Sequence, residues 1–225
     1  MRLADPVTYS VRRRLLDRDL DTESGNLSGR VLEIGGGRLG RRGLFRPQSA
    51  GISAWFYLDC DAARSPHVCA DACGLALLGS SFDSVVCLEV LEYVWQPGAA
   101  LAEIARVLKP GGTLLLSTPF LHRIDDPGDY WRFSEPALRR LLHESGFEVV
   151  RCVAQGHALG VAAGVLRYAV SVQRAWITRV LSIVLRPFFA GLLAADAGAA
   201  QRTPVLATFT TGYLVVARAR PAASA

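Results

Sequence analysis

Apolar positions along this chain fall into short runs separated by longer-period stretches. Residues 30–34 form a brief apolar run that ends in glycines, and residues 55–58 form another that ends at Asp59. Residues 68–70, 84–90, 113–118 and 147–153 repeat the pattern, and residues 206–218 contain a seventh run. Short runs bounded by turn residues predict buried strands. Between the fourth and fifth runs the period lengthens. Leu101, Ile104, Ala105 and Leu108 recur at the i, i+3, i+4 and i+7 spacing of one helix face, and Pro110-Gly111-Gly112 predicts its stop. Ser134 is placed to cap a helix with Leu138, Leu141 and Leu142 on one side and Gly146 at its end. Residues 7–21 predict a short polar helix with Val11, Leu15 and Leu16 together, followed by a loop at 26–29.

Strands alternating with helices predict an α/β fold, a doubly wound and mostly parallel sheet with helices on both faces. The 225 residues suit a single domain with one large core, residues 1–29 forming an N-terminal helix and loop. Such sheets bind ligands beyond the carboxyl ends of their strands. That rule directs attention to residues 35–40, 59–61, 71–73, 89–93 and 119–132.

Glu33-x-Gly35-x-Gly37-x-x-Gly40 follows the first predicted strand directly. Glycines there let the backbone turn tightly and approach a ligand without a Cβ in the way. Asp59 ends the second strand, where a carboxylate can accept hydrogen bonds from both hydroxyls of a ribose. A nicotinamide-dependent reductase would show nearly the same pair of features. None of the six tyrosines is followed by lysine at i+4, which removes the short-chain version of that reading.

Composition narrows the classes further. Five cysteines, an odd number lying in or near apolar runs, suit reduced thiols better than a disulfide framework. His67, Cys69 and Cys73 invite a metal reading, but no second ligand pair follows at zinc spacing, so no metal is expected. Residues 1–9 lack the apolar core of a signal peptide, which predicts a cytoplasmic location. Charge is uneven: residues 49–150 carry seven bases against thirteen acids, and residues 151–225 carry eight arginines against Asp196 alone. A basic final third predicts an anionic partner. Arginine enrichment across the whole chain, with Lys109 its only lysine, is the simpler explanation.

The remaining motifs carry a resemblance. Residues 31–37 (Val-Leu-Glu-Ile-Gly-Gly-Gly), Tyr57-Leu58-Asp59, Ala70-Asp71-Ala72, residues 82–86 and residues 89–94 stand in one order. They are followed by residues 103–112, Glu-Ile-Ala-Arg-Val-Leu-Lys-Pro-Gly-Gly. Together they resemble the class I S-adenosylmethionine-dependent methyltransferases, in particular the type 11 group, over roughly residues 30–153. The resemblance implies a seven-stranded sheet with an antiparallel last strand and S-adenosylmethionine as cofactor. It implies that Gly35 and Gly37 pass under the methionine part and that Glu33 orients the loop or meets the amino group. Asp59 would hold the ribose, with Asp61 as the fallback, Asp71 and Ala72 would face the adenine, and Glu89 would lie near the sulfonium. Two departures stand out. Residues 38–51 hold several glycines and Pro47, which predicts a short or distorted helix there, and Tyr93 occupies the place where the group commonly has histidine.

Residues 119–134 follow the fifth strand and are too polar and aromatic for an ordinary connector. They resemble a segment of methyltransferases found with sugar- and surface-polysaccharide-modifying enzymes, which implies a small-molecule or glycan acceptor. His122, Asp125 and Asp129 are candidate bases for an acceptor hydroxyl, with Tyr130 and Arg132 as substrate-orienting groups. The structural alternative is an Asp129–Arg132 ion pair and a solvated His122.

Residues 156–204 intervene where the related fold has a near-continuous hairpin, and they predict a helical insertion. Residues 158–170 and 173–185 have helical apolar content, and Pro187 breaks the second run. On one continuous helix Arg167, Arg174, Arg179 and Arg186 would project within about 140° of one another. No charge-free stretch is long enough to span a bilayer. Three roles remain open for the insertion: a lid packed on the core, a dimer contact, or a peripheral contact with an anionic membrane. A basic stripe without aromatic platforms argues against nucleic acid. The function expected from all of this is methyl transfer to a small acceptor such as a sugar or lipid-linked glycan hydroxyl. Its alternative is a non-catalytic, membrane-associated protein that binds S-adenosylmethionine.

Overall fold

The computed structural model describes residues 10–38, 45, 50–172 and 176–221, with residues 176–179 described as backbone alone. Seven strands form one sheet in the order β3-β2-β1-β4-β5-β7-β6. They are β1 (Gly29–Ile34), β2 (Ile52–Asp59), β3 (Val68–Cys69), β4 (Phe82–Leu88), β5 (Leu108–Pro119), β6 (Phe147–Ala154) and β7 (Gly212–Ala219). The first five run parallel, and β7 lies antiparallel between β5 and β6. The expected doubly wound sheet with an antiparallel last strand is therefore the fold observed.

Alternation along the strands divides the core in two, as a period of two requires. Val31, Val86, Leu115, Leu214 and Val216 face one side, where they meet Leu16 and Leu20 of α1 (Val11–Glu23). Leu32, Val85, Cys87, Leu114, Leu116 and Val215 face the other. They pack there against Leu101 and Ile104 of α2 (Pro97–Val107) and Leu138 and Leu142 of α3 (Glu135–Glu144). Helix α1 is capped by Ser10, whose side chain accepts the Arg13 amide, and residues 7–9 of the expected helix lie outside the described residues. Ser134 precedes α3 with extended backbone, and its carbonyl accepts the Leu138 amide while its hydroxyl makes no cap.

One expectation is corrected. Pro110-Gly111-Gly112 does not stop α2, which ends at Val107; β5 already starts at Leu108 and contains the motif. Gly111 takes φ +74°, and the pairing with β4 shifts register between Phe82 and Ser84. The motif is thus a bulge at the start of a strand, which bends and twists its edge. Lys109 clasps the bulge to Asp83 at 2.6 Å.

Three helices join β6 to β7: α4 (Ala158–Ser171), α5 (Trp176–Val184) and α6 (Arg186–Arg202). Pro187 sits in the first turn of α6, where its missing N–H costs nothing. Arg174 and the side chain of Arg179 lie outside the described residues. Among the described residues no helix is long and apolar enough to cross a membrane.

Candidate active site

The carboxyl ends of β1, β2 and β4 are level: Ile34 pairs with Leu58 on one side and Cys87 on the other. The residues that follow these ends therefore share one edge. Gly35 takes φ +75° and donates its amide to Leu58 at 2.8 Å, and a Cβ there would strike Val90. A side chain on Gly36 would strike Glu33, and one on Gly37 would strike the backbone of Arg64. The loop is glycine because three neighbours close on it. Glu33 lies beneath it and accepts the Trp55 indole N–H at 2.8 Å. Gly40 falls outside the described residues, as does most of the segment for which a distorted helix was expected.

Asp59 is nearly buried at the end of β2, and both its oxygens are engaged. One accepts the Asp61 amide at 2.9 Å, and the other meets Arg64 Nη1 at 2.7 Å. The same Arg64 nitrogen donates to the Gly35 carbonyl at 2.8 Å, so a guanidinium bridges glycine loop and acid. Arg64 comes from a short 3-10 turn (Ala62–Arg64) whose first residues are capped by Asp61. Asp71 is exposed on the loop after β3 and accepts the Cys73 amide at 2.7 Å, with Ala72 half-buried beside it.

Glu89 follows β4 with φ +55°, a left-handed conformation that costs a non-glycine residue about 1–3 kcal/mol. What holds it there is Arg12 of α1, which reaches across the top of the sheet. Its Nε donates to Glu89 Oε2 at 3.0 Å and its Nη2 donates to Oε1, while Ser117 Oγ donates to Oε1 at 2.8 Å. Nη1 of Arg12 donates to Gln155 Oε1 at 2.9 Å and to the Thr211 carbonyl at 2.8 Å. Burial pushes the Glu89 carboxyl up, but the charge and hydrogen bonds of Arg12 outweigh it and hold the group below its ordinary range.

Glu92 was missed by sequence reasoning. It lies in a short turn (Leu91–Tyr93) three residues after Glu89, is 2% exposed, and its Oε2 has no hydrogen-bond partner. Burial and then repulsion from Glu89 push its carboxyl up to about 8, so it is protonated at neutral pH. Arg12 was missed as well. The available signal was its place at the head of the buried stripe Arg12–Leu16–Leu20, where a charge is out of character.

The segment after β5 is strapped to the Glu92 turn. The amides of Tyr130 and Trp131 both donate to the Glu92 carbonyl, and the Trp131 indole donates to Val94 at 3.0 Å. Tyr130 packs edge-on against Trp95 with half its surface exposed. Asp129 is paired in two-pronged fashion with Arg132 and accepts the Asp125 amide at 3.1 Å. Arg132 also ties down the Arg123 and Trp131 carbonyls. His122 Nε2 lies 3.4 Å from Asp125 Oδ2, and Asp125 also pairs with Arg123. Burial is the main influence on His122 and pushes its pKa down; Arg12 adds to this while Asp125 and Glu89 oppose it. The edge thus brings His122 and Asp125 into the electrostatic reach of Arg12–Glu89 and leaves Asp129 and Arg132 in mutual contact. Among the described residues no cluster of three or more His, Cys, Asp or Glu could hold a metal ion.

Comparison with known proteins follows the same outline. A family model described as a methyltransferase domain, of type 11, matches residues 52–116. A probable S-adenosylmethionine-dependent methyltransferase of Mycolicibacterium smegmatis is 32% identical over 142 residues, covering 56% of this chain and 55% of its own. Over these residues the chain is similar to S-adenosylmethionine-dependent methyltransferases of type 11. It spans about half the length of that relative. A ubiquinone biosynthesis O-methyltransferase of Xanthomonas oryzae pv. oryzae is 58% identical, but over 38 residues that make up 17% of this chain and 16% of its own. A solved methyltransferase structure from Archaeoglobus fulgidus shares the fold, with TM-score 0.57, 15% identity, and coverage of 92% of this chain and 94% of its own.

The residues at the edge fit the nucleoside that such methyltransferases use in its chemistry. Gly35 to Gly37 expose backbone, a buried carboxylate ends β2, and a second carboxylate follows β4, where a sulfonium would be stabilised. Arg64 stands on the β2 carboxylate, and a ribose diol would take the bond that Arg64 now makes. Its side chain is about one-third exposed (32%).

Proposed function

We propose that this chain transfers a methyl group from S-adenosylmethionine to a small acceptor, a hydroxyl of a sugar or lipid-linked glycan. The observation that carries the reading is that Gly35, Asp59 and Glu89 lie within one residue of one another's level at the carboxyl ends of neighbouring strands. When bound, S-adenosylmethionine supplies a methyl group on a sulfonium sulfur to a nucleophilic oxygen. In this reading Gly35, Gly37 and Glu33 cradle the amino-acid end, Asp59 takes the ribose, and Asp71 and Ala72 border the adenine. Glu89, fixed by Arg12 and Ser117, sets the negative potential beside the sulfonium.

Alignment supplies much of the acceleration in an in-line displacement. The strap from Tyr130 and Trp131 to Glu92 makes residues 119–134 a rigid wall for the acceptor. His122 is the group that accepts the hydroxyl proton: burial keeps it neutral, and Asp125 at 3.4 Å orients the ring. Asp129 and Arg132 stiffen the wall, and exposed Tyr130 offers the acceptor a ring edge.

The second reading, a protein that binds the nucleoside without turnover, draws on the arginines that already occupy both Asp59 and Glu89. Transfer of labelled methyl to free and lipid-linked sugars, with amines as controls, separates the two. Label in a sugar hydroxyl, lost in His122→Gln, supports transfer; label confined to amines removes the hydroxyl acceptor. Binding with no transfer across the panel supports the second reading.

A further inference from the structure

Helices α4 to α6 turn apolar side chains outward. On α5, Val180, Leu181, Ile183 and Val184 are all exposed, and at 100° per residue they fall within an arc of about 160°, one side of the helix. Val172 at the end of α4 and Phe188 at the start of α6 continue the face, each 54% exposed. Isolated surface leucines and valines are ordinary, whereas a run of this kind on one rim calls for a cover.

Charge selects the cover. Residues 156–204 hold five arginines and a single acid, Asp196. Asp196 is buried and gives its oxygens to the His157 and Gly160 amides at 2.6 and 2.9 Å. No acid of the segment faces outward. A twofold contact between copies would bring this basic face against itself, with no carboxylate to offset it. Arg186 is exposed near Phe188 in sequence, and Arg167 lies within the field of both Arg14 and Arg186. An apolar face bordered by arginines matches the boundary between headgroups and acyl chains of an anionic bilayer.

We propose that α4 to α6 dock this protein on the surface of an anionic membrane. The feet of the insertion are Gln155 and Thr211, the two groups to which Arg12 donates while it holds Glu89. The docking face therefore rises from the same sheet edge as the candidate active site, which gives an amphiphilic acceptor a short path from bilayer to site. No described helix crosses a membrane, so the contact is peripheral.

Sedimentation of the full chain with vesicles tests this without any turnover, so its outcome is separate from that of the methyl-transfer reading. Binding to mixed phosphatidylcholine–phosphatidylglycerol vesicles should exceed binding to phosphatidylcholine alone by about tenfold or more and weaken with salt. Val184→Asp and Arg186→Glu, both at exposed positions, should each reduce that binding about tenfold with an unchanged melting temperature. Equal affinity for both vesicle types, or undiminished binding by both variants, would overturn the proposal. So would a self-association that Val184→Asp abolishes in the absence of vesicle binding, which would assign the face to a second copy.

Discussion

Arg12 and Glu89, 77 residues apart, grip each other through two hydrogen bonds across the carboxyl edge of the sheet. The contact fastens α1 over the candidate site and holds Glu89 in its left-handed turn. Glu92 lies close enough to repel Glu89, so the pair also keeps two neighbouring acids from sharing an unbalanced site. Removing Arg12 alone leaves a partly buried carboxylate without its counter-charge. Arg12→Ala is expected to lower stability by about 2–4 kcal/mol, read as a shift in the urea midpoint. Adding Glu89→Gln should restore part of the loss. An unchanged midpoint in Arg12→Ala would show that the pair does not secure α1.

The pH dependence of stability should carry the mark of Glu92. Its folded pKa of about 8 lies above the ordinary 4.5, so between those values the folded state binds a proton that the unfolded state has released. Stability from this group is present below the ordinary value and is lost as pH rises through the interval, with a slope of up to about 1.4 kcal/mol per pH unit. Glu89, held low, contributes in the opposite sense at acid pH. Urea titrations from pH 5 to pH 8 should therefore show falling stability in the native chain and a flatter profile in Glu92→Gln. Identical profiles would contradict a protonated Glu92.

Arg64 competes for the carboxylate that a ribose would use. Arg64→Ala should tighten binding of S-adenosylhomocysteine by roughly threefold to tenfold, the scale of one charge-assisted hydrogen bond set against its replacement. Tenfold weaker binding would instead make Arg64 part of the cradle.

His122 gives the reaction its expected acid limb. Burial lowers its pKa from 6.5, so kcat/KM should rise with pH below that value and level off by neutrality. His122→Gln should remove the limb and lower kcat about 10²–10⁴-fold. A limb that persists in the variant would move the proton acceptor elsewhere.

The sheet was readable in the sequence because buried strands are short, apolar and bounded by turn residues, as residues 30–34 and 147–153 illustrate. The positions of Gly35, Asp59 and Glu89 were readable for a related reason: each ends or directly follows a strand, and the fold rule says where such residues gather. Arg12 was not, because its partners at 89, 155 and 211 are distant in sequence and only the closed sheet brings them together. Glu92 stood inside a recognised motif, yet its burial without a partner is a property of packing. Lys109-Pro110-Gly111-Gly112 was recognised as a motif and placed in the wrong element, since a glycine at positive φ reads equally as a stop or as a bulge. Residues 156–204 showed apolar content and arginines but not which side chains face outward.

The edge formed by Gly35, Asp59 and Glu89 is expected to hold S-adenosylmethionine, and calorimetric titration measures this directly. The native chain should bind S-adenosylmethionine and its demethylated product at a single site and give no heat with NAD. Asp59→Ala should weaken that binding by about 1–3 kcal/mol, the cost of hydrogen bonds lost from a charged group. Absence of binding by either methionine nucleoside, with the native chain folded, would contradict the account.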